Sequence, residues 1–149
     1  MRRARSIRVS KDGPDLELSL SARPENVAVV RHAIGGLGEV IDVSDQTLAD
    51  IKLAVTEACT NVVVHAYPDG GGLMGLRAHL DEGALRVIVT DNGPGVTPRA
   101  DSPGLGLGLP LIASLTESLE LGGGSDGHET QVSMTFRLDR PSDTQRRPS

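Results

Sequence analysis

The first half of the chain changes from a strand-like to a helix-like pattern of apolar residues. Residues 16–20 alternate apolar and polar side chains, which predicts a half-buried strand. Pro24 begins a helix-like stretch that runs to about Leu37. Ser44 is a favourable N-cap for a longer helix over residues 45–66. The first helix is predicted to end at Gly35, Gly36 and Gly38, and the second has an apolar stripe of Leu48, Ile51, Val55, Ala58 and Val62.

The second half of the chain predicts strands that pair as hairpins. Residues 73–80 and 85–89 are rich in apolar and β-branched side chains and flank a turn at Asp81-Glu82-Gly83. A turn-rich region follows, and then a helix at 108–118, a short strand at 119–121 and a last strand at 131–138. We therefore predict an α+β fold, a two-layer α/β sandwich whose mixed, mostly antiparallel sheet has its helices on one face.

Composition excludes several classes of function. The chain has 149 residues, the size of a single domain. Tyr67 and Phe136 are its only aromatic residues, too few for the stacking platforms of single-strand nucleic-acid binders. The net charge of −5 also argues against a polyanion binder, so we expect no direct contact with nucleic acid. The single cysteine, Cys59, excludes an internal disulfide, and we expect it in the core.

Charge is unevenly distributed along the chain. Residues 1–11 carry +5 and the last ten carry +2, which leaves −12 for residues 12–139. We interpret residues 1–15 and 139–149 as basic tails on one domain of residues 16–138, with weak electrostatic docking by the tails as the alternative. No apolar segment of signal-peptide type follows the basic start, and no apolar run reaches the roughly 18 residues of a membrane span. We therefore expect a cytoplasmic protein without membrane contact.

The longer helix carries a polar face with potential for chemistry. Glu57, Asn61 and His65 are four residues apart in turn, so they lie on one face of the helix, roughly opposite the apolar stripe. An Asn oxygen can ligate Mg²⁺, which prefers oxygen ligands and keeps several waters. The Glu can accept a proton from a nucleophile beside the metal. The alternative is a solvated polar helix face.

A second candidate element is the turn after the strand at residues 85–89. The sequence Asp91-Asn-Gly-Pro-Gly95 places an acid at the end of a buried strand, before glycines that allow close backbone approach. Such an acid can accept a hydrogen bond from an exocyclic amine such as that of adenine, with Val96 packed on the base. The alternative is an ordinary surface turn.

A third candidate element is Gly104-Leu-Gly-Leu-Gly-Leu109-Pro110, which leads into a helix. Glycines before a helix start offer free backbone N–H groups and the positive end of the helix dipole to a phosphate. No lysine follows Lys52, so a phosphate bound here depends on Mg²⁺ and backbone amides. The alternative is a flexible loop.

Together the three elements resemble the N, G1 and G2 boxes of the GHKL ATPases. The likeness is closer to the anti-sigma factor serine kinases of bacterial stress and sporulation switches. In those proteins the helix reads Glu-x-x-x-Asn-x-x-x-His-Ala-Tyr, and residues 57–67 here are Glu-Ala-Cys-Thr-Asn-Val-Val-Val-His-Ala-Tyr. The resemblance covers about residues 16–138 and implies the Bergerat, or GHKL-type, ATPase fold.

The resemblance also implies roles for individual residues. Asn61 would hold Mg²⁺, Glu57 would be the general base that activates a protein serine hydroxyl, and Asp91 would bind the adenine amino group of ATP. The other implied nucleotide-site residues are Gly93, Gly95 and Val96 at the base, Gly104, Gly106, Leu107, Gly108 and Leu109 in the lid and phosphate loop, Thr130 at the last strand, and His65 as a packing or pocket-wall residue.

Two positions depart from the family pattern. Some members carry an Arg just before the lid glycines, where this chain has Pro103, Gly104 and Leu105, with Arg99 as the nearest cation. Members often have Gly-Thr before the last strand, where this chain has Glu129-Thr130. Neither change removes the residues proposed to bind the nucleotide.

The function implied by the resemblance is that of an ATP- and Mg²⁺-dependent protein serine kinase. It would phosphorylate an anti-sigma factor antagonist, sequester a sigma factor and form a homodimer. One alternative is a binding module of the same fold without significant kinase activity. A histidine-kinase catalytic domain is less favoured because no dimerising helix with a phospho-acceptor His precedes residue 16, and a GHKL ATPase that uses water as nucleophile usually belongs to a much longer chain.

Overall fold

The computed structural model describes residues 13–67, 70–93, 105–123 and 129–138, with backbone alone for 6–8 and 105–107. The strands are β1 (Ser6–Arg8), β2 (Leu16–Ser21), β3 (Leu73–Asp81), β4 (Ala84–Asp91), β5 (Ser118–Gly123) and β6 (Thr130–Arg137). The helices are α1 (Pro24–Ile41), α2 (Asp45–Asn61) and α3 (Leu105–Leu115), and a π-helix at Val62–Ala66 continues α2. No helix in the described part of the chain is long and apolar enough to cross a membrane.

The six strands form one sheet in the order β1-β2-β3-β4-β6-β5. Every pairing between the described strands is antiparallel. The prediction of a mostly antiparallel sheet is therefore confirmed, and its qualification as mixed is wrong for these strands. The connection through α3 makes β5 run in the same direction as β4, but β6 lies between these two strands, so they form no parallel pair.

Strand β4 lies inside the sheet and carries one end of the candidate site. Leu85, Val87 and Val89 alternate along it and are almost fully buried in the core, with Ile51 and Val55 of α2. Asp91 continues the same alternation, so its side chain lies on the helix-covered face of the sheet. The predicted two-layer arrangement, with helices on one face of the sheet, is thereby confirmed. In this arrangement the side chain of Asp91, the last residue of β4, faces the helices.

Helix α1 is longer than predicted because its glycines do not end it. The helix continues to Ile41, and Asp42 closes it in the left-handed region at φ 55°. A Cβ at Gly38 would overlap the Leu48 side chain, and one at Gly35 would lie 3.2 Å from Cε of Lys52. The glycines therefore allow α1 and α2 to pack closely. This packing explains why the glycines that were predicted to end the helix lie inside it.

Three other features of the strands and helices differ from the prediction. Ser6–Arg8 pairs with β2 as strand β1, although it falls in the segment interpreted as a tail. Three residues are too few to show a strand periodicity. Helix α3 begins at Leu105 instead of 108, because the glycines there adopt the helical conformation, and it ends at Leu115. The longer helix was predicted correctly to reach Ala66, but its last five residues are π-helical.

Candidate functional site

The helix with the polar face is fixed at its start by a side-chain cap. The Ser44 hydroxyl accepts a hydrogen bond from the Thr47 N–H at 3.1 Å, as predicted for an N-cap. Thirteen and seventeen residues later, Glu57 and Asn61 are half-buried, at the border between the core and the surface. A π-helix follows Asn61 at once, and π-helices are frequent at functional sites.

Helix α3 brings the glycine segment against Asn61. A Cβ at Gly108 would lie 2.9 Å from Nδ2 and 3.2 Å from Oδ1 of Asn61. Gly108 is buried, and four residues on, Ile112 is fully buried in the core. The predicted N-box asparagine and the predicted phosphate segment are therefore in direct contact. Because Gly108 has no side chain, the Asn61 carboxamide can pack directly on the backbone of α3.

Asp91 is a buried acid at the end of β4. Its side chain is 5% exposed, and its Oδ1 accepts a hydrogen bond from the Gly93 N–H at 2.9 Å. Burial raises the pKa of Asp91 above its ordinary value, and the negative charge of Glu129 raises that pKa further, whereas the Gly93 N–H opposes the shift. Only one oxygen of this buried carboxylate accepts a hydrogen bond from the described residues. The other oxygen could accept a hydrogen bond from the amino group of a ligand.

Thr130 lies beside Asp91 at the edge of the same site. The two residues are directly opposite each other in the β4–β6 pairing, so both side chains are on the helix-covered face. Glu129 precedes Thr130, at the position where the family often has Gly, and its charge reaches Asp91. The structure therefore brings together Asp91 and Thr130 as the sequence predicted, and adds a second acid nearby.

Tyr67 is a site residue that sequence reasoning left without a role. Its hydroxyl donates to the Leu73 carbonyl oxygen at 2.6 Å and accepts from the Asn92 N–H at 2.8 Å. Burial raises the pKa of this phenol, the Asn92 N–H lowers it, and the charge of Asp91 raises it. The signal was present in the motif Glu-x-x-x-Asn-x-x-x-His-Ala-Tyr, whose last residue is Tyr67.

Comparison with known proteins identifies the family. Residues 20–136 match the histidine kinase-like ATPase domain. The serine-protein kinase RsbW of Halalkalibacterium halodurans is 40% identical, over 71% of this chain and 74% of that protein. The chain belongs to the RsbW family. Proteins of the same name from Bacillus thuringiensis and Bacillus cereus are 30% identical to this RsbW-family protein, over 71% of its chain and 76% of theirs.

A solved structure confirms the fold of this RsbW-family protein. The crystal structure of the RsbU and RsbW domains of a Mycobacterium tuberculosis protein superposes with a TM-score of 0.64 at 24% identity. The match covers 84% of this chain and 33% of that one, so this RsbW-family protein spans about a third of the longer chain. The predicted two-layer fold is thereby confirmed. The predicted resemblance to the family is confirmed by the sequence matches to its members.

The residues present fit a magnesium nucleotide. In the described part of the chain no three His, Cys, Asp or Glu side chains form a metal cluster, so a metal here would use the Asn61 oxygen, phosphates and water. Gly108 lies directly against that carboxamide, because a Cβ at this position would come within 3.2 Å of the oxygen. At the other end of the site, Asp91 offers a buried acceptor to a base.

The remaining predicted residues divide into two groups. Gly95, Val96 and Gly104 lie outside the described residues. Among the others, the structure places Gly93 against Ala66, Gly106 and Leu107 in the first turn of α3, Leu109 partly buried against the core, and His65 half-buried in the π-helix. Cys59 is 1% exposed in the core, as predicted, and burial raises the pKa of its thiol to about 12.

Gly108→Ala is expected to weaken the magnesium-dependent part of ATP binding about tenfold. The new Cβ would displace the Asn61 carboxamide, the end of a flexible side chain, so the fold would tolerate the change. Nucleotide affinity measured once with Mg²⁺ and once with a chelator separates the magnesium-dependent part of binding from the magnesium-independent part. Gly36→Ala is the matched control, because Gly36 is also helical and has open space where its Cβ would lie. An equal loss with and without Mg²⁺ would contradict the assignment of Asn61 to the metal.

Proposed function

We propose that this RsbW-family protein is an ATP- and Mg²⁺-dependent protein serine kinase that acts as an anti-sigma factor. The observation that carries the proposal is the contact between Asn61 on α2 and Gly108 on α3. Helix α2 also bears Glu57. This contact places a candidate metal ligand against a glycine-containing helix start, one helical turn after the candidate base on α2. The 40% identity to a serine-protein kinase, over 71% of this chain and 74% of that protein, supports phosphoryl transfer as the chemistry.

The proposed roles follow from the position of each side chain. MgATP, when bound, supplies the phosphoryl group and the metal charge that neutralises it. Glu57 would accept the proton of a serine hydroxyl as the serine oxygen attacks the terminal phosphorus and ADP leaves. Asn61 would hold the metal through its carboxamide oxygen, and Asp91 would accept a hydrogen bond from the adenine amino group. Most of the catalysis would thus come from positioning and charge neutralisation.

The surface around Glu57 favours a protein over water as the nucleophile. Leu53 lies one helical turn before Glu57 on α2 and is 43% exposed, and Val64 lies about two turns after it and is 57% exposed. On the neighbouring helix α3, Leu111 follows Gly108 by one turn and is 37% exposed. Exposed large apolar side chains on the two helices of a candidate site are typical of protein contacts, and a site that uses water has no need of them.

Leu53→Gln is expected to raise the KM for the protein substrate about fivefold and to leave ATP affinity unchanged. The change removes apolar contact area next to Glu57 without touching Asn61 or Asp91. Val40→Gln is the matched control, because Val40 is 81% exposed in the last turn of α1 and lies beside the β3–β4 turn, at the other end of β4 from Asp91. A KM equal to that of wild type, in a variant that folds normally, would remove this surface from the substrate contact.

The proposed partners follow the family. The substrate would be an anti-sigma factor antagonist that is phosphorylated on serine, and its phosphorylation would release the kinase to sequester a sigma factor. We further propose a homodimer, a cytoplasmic location and a nucleotide-binding domain of residues 16–138 between two terminal segments.

Labelled ATP tests the proposal directly. The purified protein is incubated with γ-labelled MgATP and a candidate antagonist protein encoded by the same genome, and the labelled residue is identified by mass spectrometry. Label on a serine of the antagonist supports the kinase. If the protein binds MgATP and forms a complex with the antagonist but never labels it, the binding module without kinase activity is the better assignment. Release of inorganic phosphate without any protein label would instead indicate water as the nucleophile.

A further inference from the structure

Tyr67 links three segments that are distant in the sequence. It follows the π-helix at the end of α2, and its hydroxyl lies between the start of β3 and the turn after β4. The hydroxyl donates to Leu73 O at 2.6 Å and accepts from Asn92 N at 2.8 Å. Both lengths are those of well-formed hydrogen bonds, so one phenol oxygen ties the helix that bears Glu57 and Asn61 to the turn that follows Asp91.

The turn after β4 is held by two successive N–H groups. Asn92 donates to Tyr67, and Gly93 donates to the Asp91 carboxylate at 2.9 Å. In the described part of the chain this is the only hydrogen bond of the Asp91 side chain, so Oδ1 is engaged and Oδ2 remains for a ligand. The direction in which Oδ2 faces therefore depends on where the turn places the Gly93 N–H.

Two glycine contacts restrict the movement of this arrangement. A Cβ at Gly72 would overlap the Tyr67 ring, and a Cβ at Gly93 would overlap the Ala66 carbonyl oxygen. The ring therefore lies directly on the backbone at Gly72, and the turn lies directly on the end of the π-helix. Close packing on both sides leaves the phenol hydroxyl a single position between its two partners.

We propose that Tyr67 is a positioning residue that orients the Asp91 carboxylate for the nucleotide base. Its hydroxyl fixes the Asn92 N–H, which fixes the adjacent Gly93 N–H, which in turn fixes the carboxylate. Tyr67 does not touch the reacting atoms. The inference rests on the nucleotide-binding part of the proposed function and is independent of whether a protein serine is phosphorylated.

Tyr67→Phe tests the inference, because it removes the hydroxyl and keeps the ring on Gly72. We expect the variant to bind ATP and AMP about five- to tenfold more weakly, and by the same factor for both, since the loss is at the base end of the site. Ser114→Ala is the matched control. It removes a hydroxyl that donates to the Leu111 carbonyl oxygen at 2.7 Å on α3, away from the turn, and should leave both affinities unchanged.

Two further measurements separate positioning from a general structural role. In the nucleotide-free protein, amide hydrogen exchange should accelerate at both Asn92 and Gly93 in Tyr67→Phe, while the core amides of β4 keep their wild-type rates. In a double-mutant cycle, Tyr67→Phe should cost little further affinity once Asp91→Asn is present, because the two residues act in one chain of contacts.

The proposal fails if the two losses of affinity multiply in the double variant, or if Gly93 exchanges at its wild-type rate. It also fails if Tyr67→Phe binds AMP as tightly as wild type does. Failure of the kinase proposal looks different, because it leaves these binding and exchange results intact and appears only as an antagonist protein that is never labelled.

Discussion

Glu57→Gln is expected to lower the rate of phosphoryl transfer to the protein substrate by about 10²- to 10⁴-fold, while MgATP affinity stays within about twofold of wild type. Glutamine keeps the size and helix propensity of the residue but cannot accept the serine proton. No ion pair in the described part of the chain involves Glu57, so the substitution breaks none there. A single-turnover assay with labelled ATP measures the rate, and a fluorescent nucleotide measures the affinity.

Asp50→Asn is the control for the Glu57 variant. Asp50 lies on the same helix and accepts a hydrogen bond from Gln46 at 2.9 Å, two turns before Glu57. Its neutralisation removes one negative charge from α2 at a distance from the candidate site, so both rate and affinity should stay at wild-type values. A Glu57→Gln variant that still phosphorylates at more than a tenth of the wild-type rate would show that Glu57 is not the base. A variant that loses MgATP affinity would assign Glu57 to nucleotide binding instead.

Much of the fold was predictable because the relevant signals are local. The spacing of Glu57 and Asn61 places them on one helix face whatever the rest of the chain does, since the helical period is fixed. The alternation of Leu85, Val87 and Val89 likewise assigns Asp91 to the buried face of β4. Periodicity thus predicted the helix and the strand that carry the candidate site, together with the direction of their polar residues.

Other features depend on contacts that no local pattern contains. Gly38 reads as a helix stop until Leu48 of the next helix is found in the space of its missing side chain. The bond from Asn92 to Tyr67 joins residues 25 positions apart, neither of which belongs to a periodic segment. The contact of Asn61 with Gly108 likewise requires the packing of α3 on α2. The sequence therefore predicted the site residues as separate motifs, and the tertiary structure was needed to show which of them meet.

Asp91→Asn is expected to weaken ATP binding roughly 100-fold and, in the nucleotide-free protein, to raise the unfolding temperature at pH 7. The carboxylate is the proposed acceptor for the adenine amino group, and an amide with its N–H₂ toward the base would place two donors face to face. Without nucleotide, the ionised carboxylate is buried near the charge of Glu129, which is why its pKa is raised in the folded state. A neutral Asn can still accept the Gly93 N–H and avoids the cost of burying the charge.

The pH dependence of stability distinguishes this cause from a general packing effect. Because the pKa of Asp91 is raised on folding, the folded protein binds more protons than the unfolded chain does between the ordinary Asp pKa and the raised one. The stability contributed by Asp91 is therefore highest below that window and falls as pH rises through it. The gain in unfolding temperature from Asp91→Asn should accordingly be largest at pH 7 and vanish in acid, whereas Asp50→Asn should show no such gain. If Asp91→Asn destabilises the nucleotide-free protein at pH 7, the carboxylate has a structural role. The proposal that its buried charge destabilises the nucleotide-free protein and serves to bind adenine is then wrong.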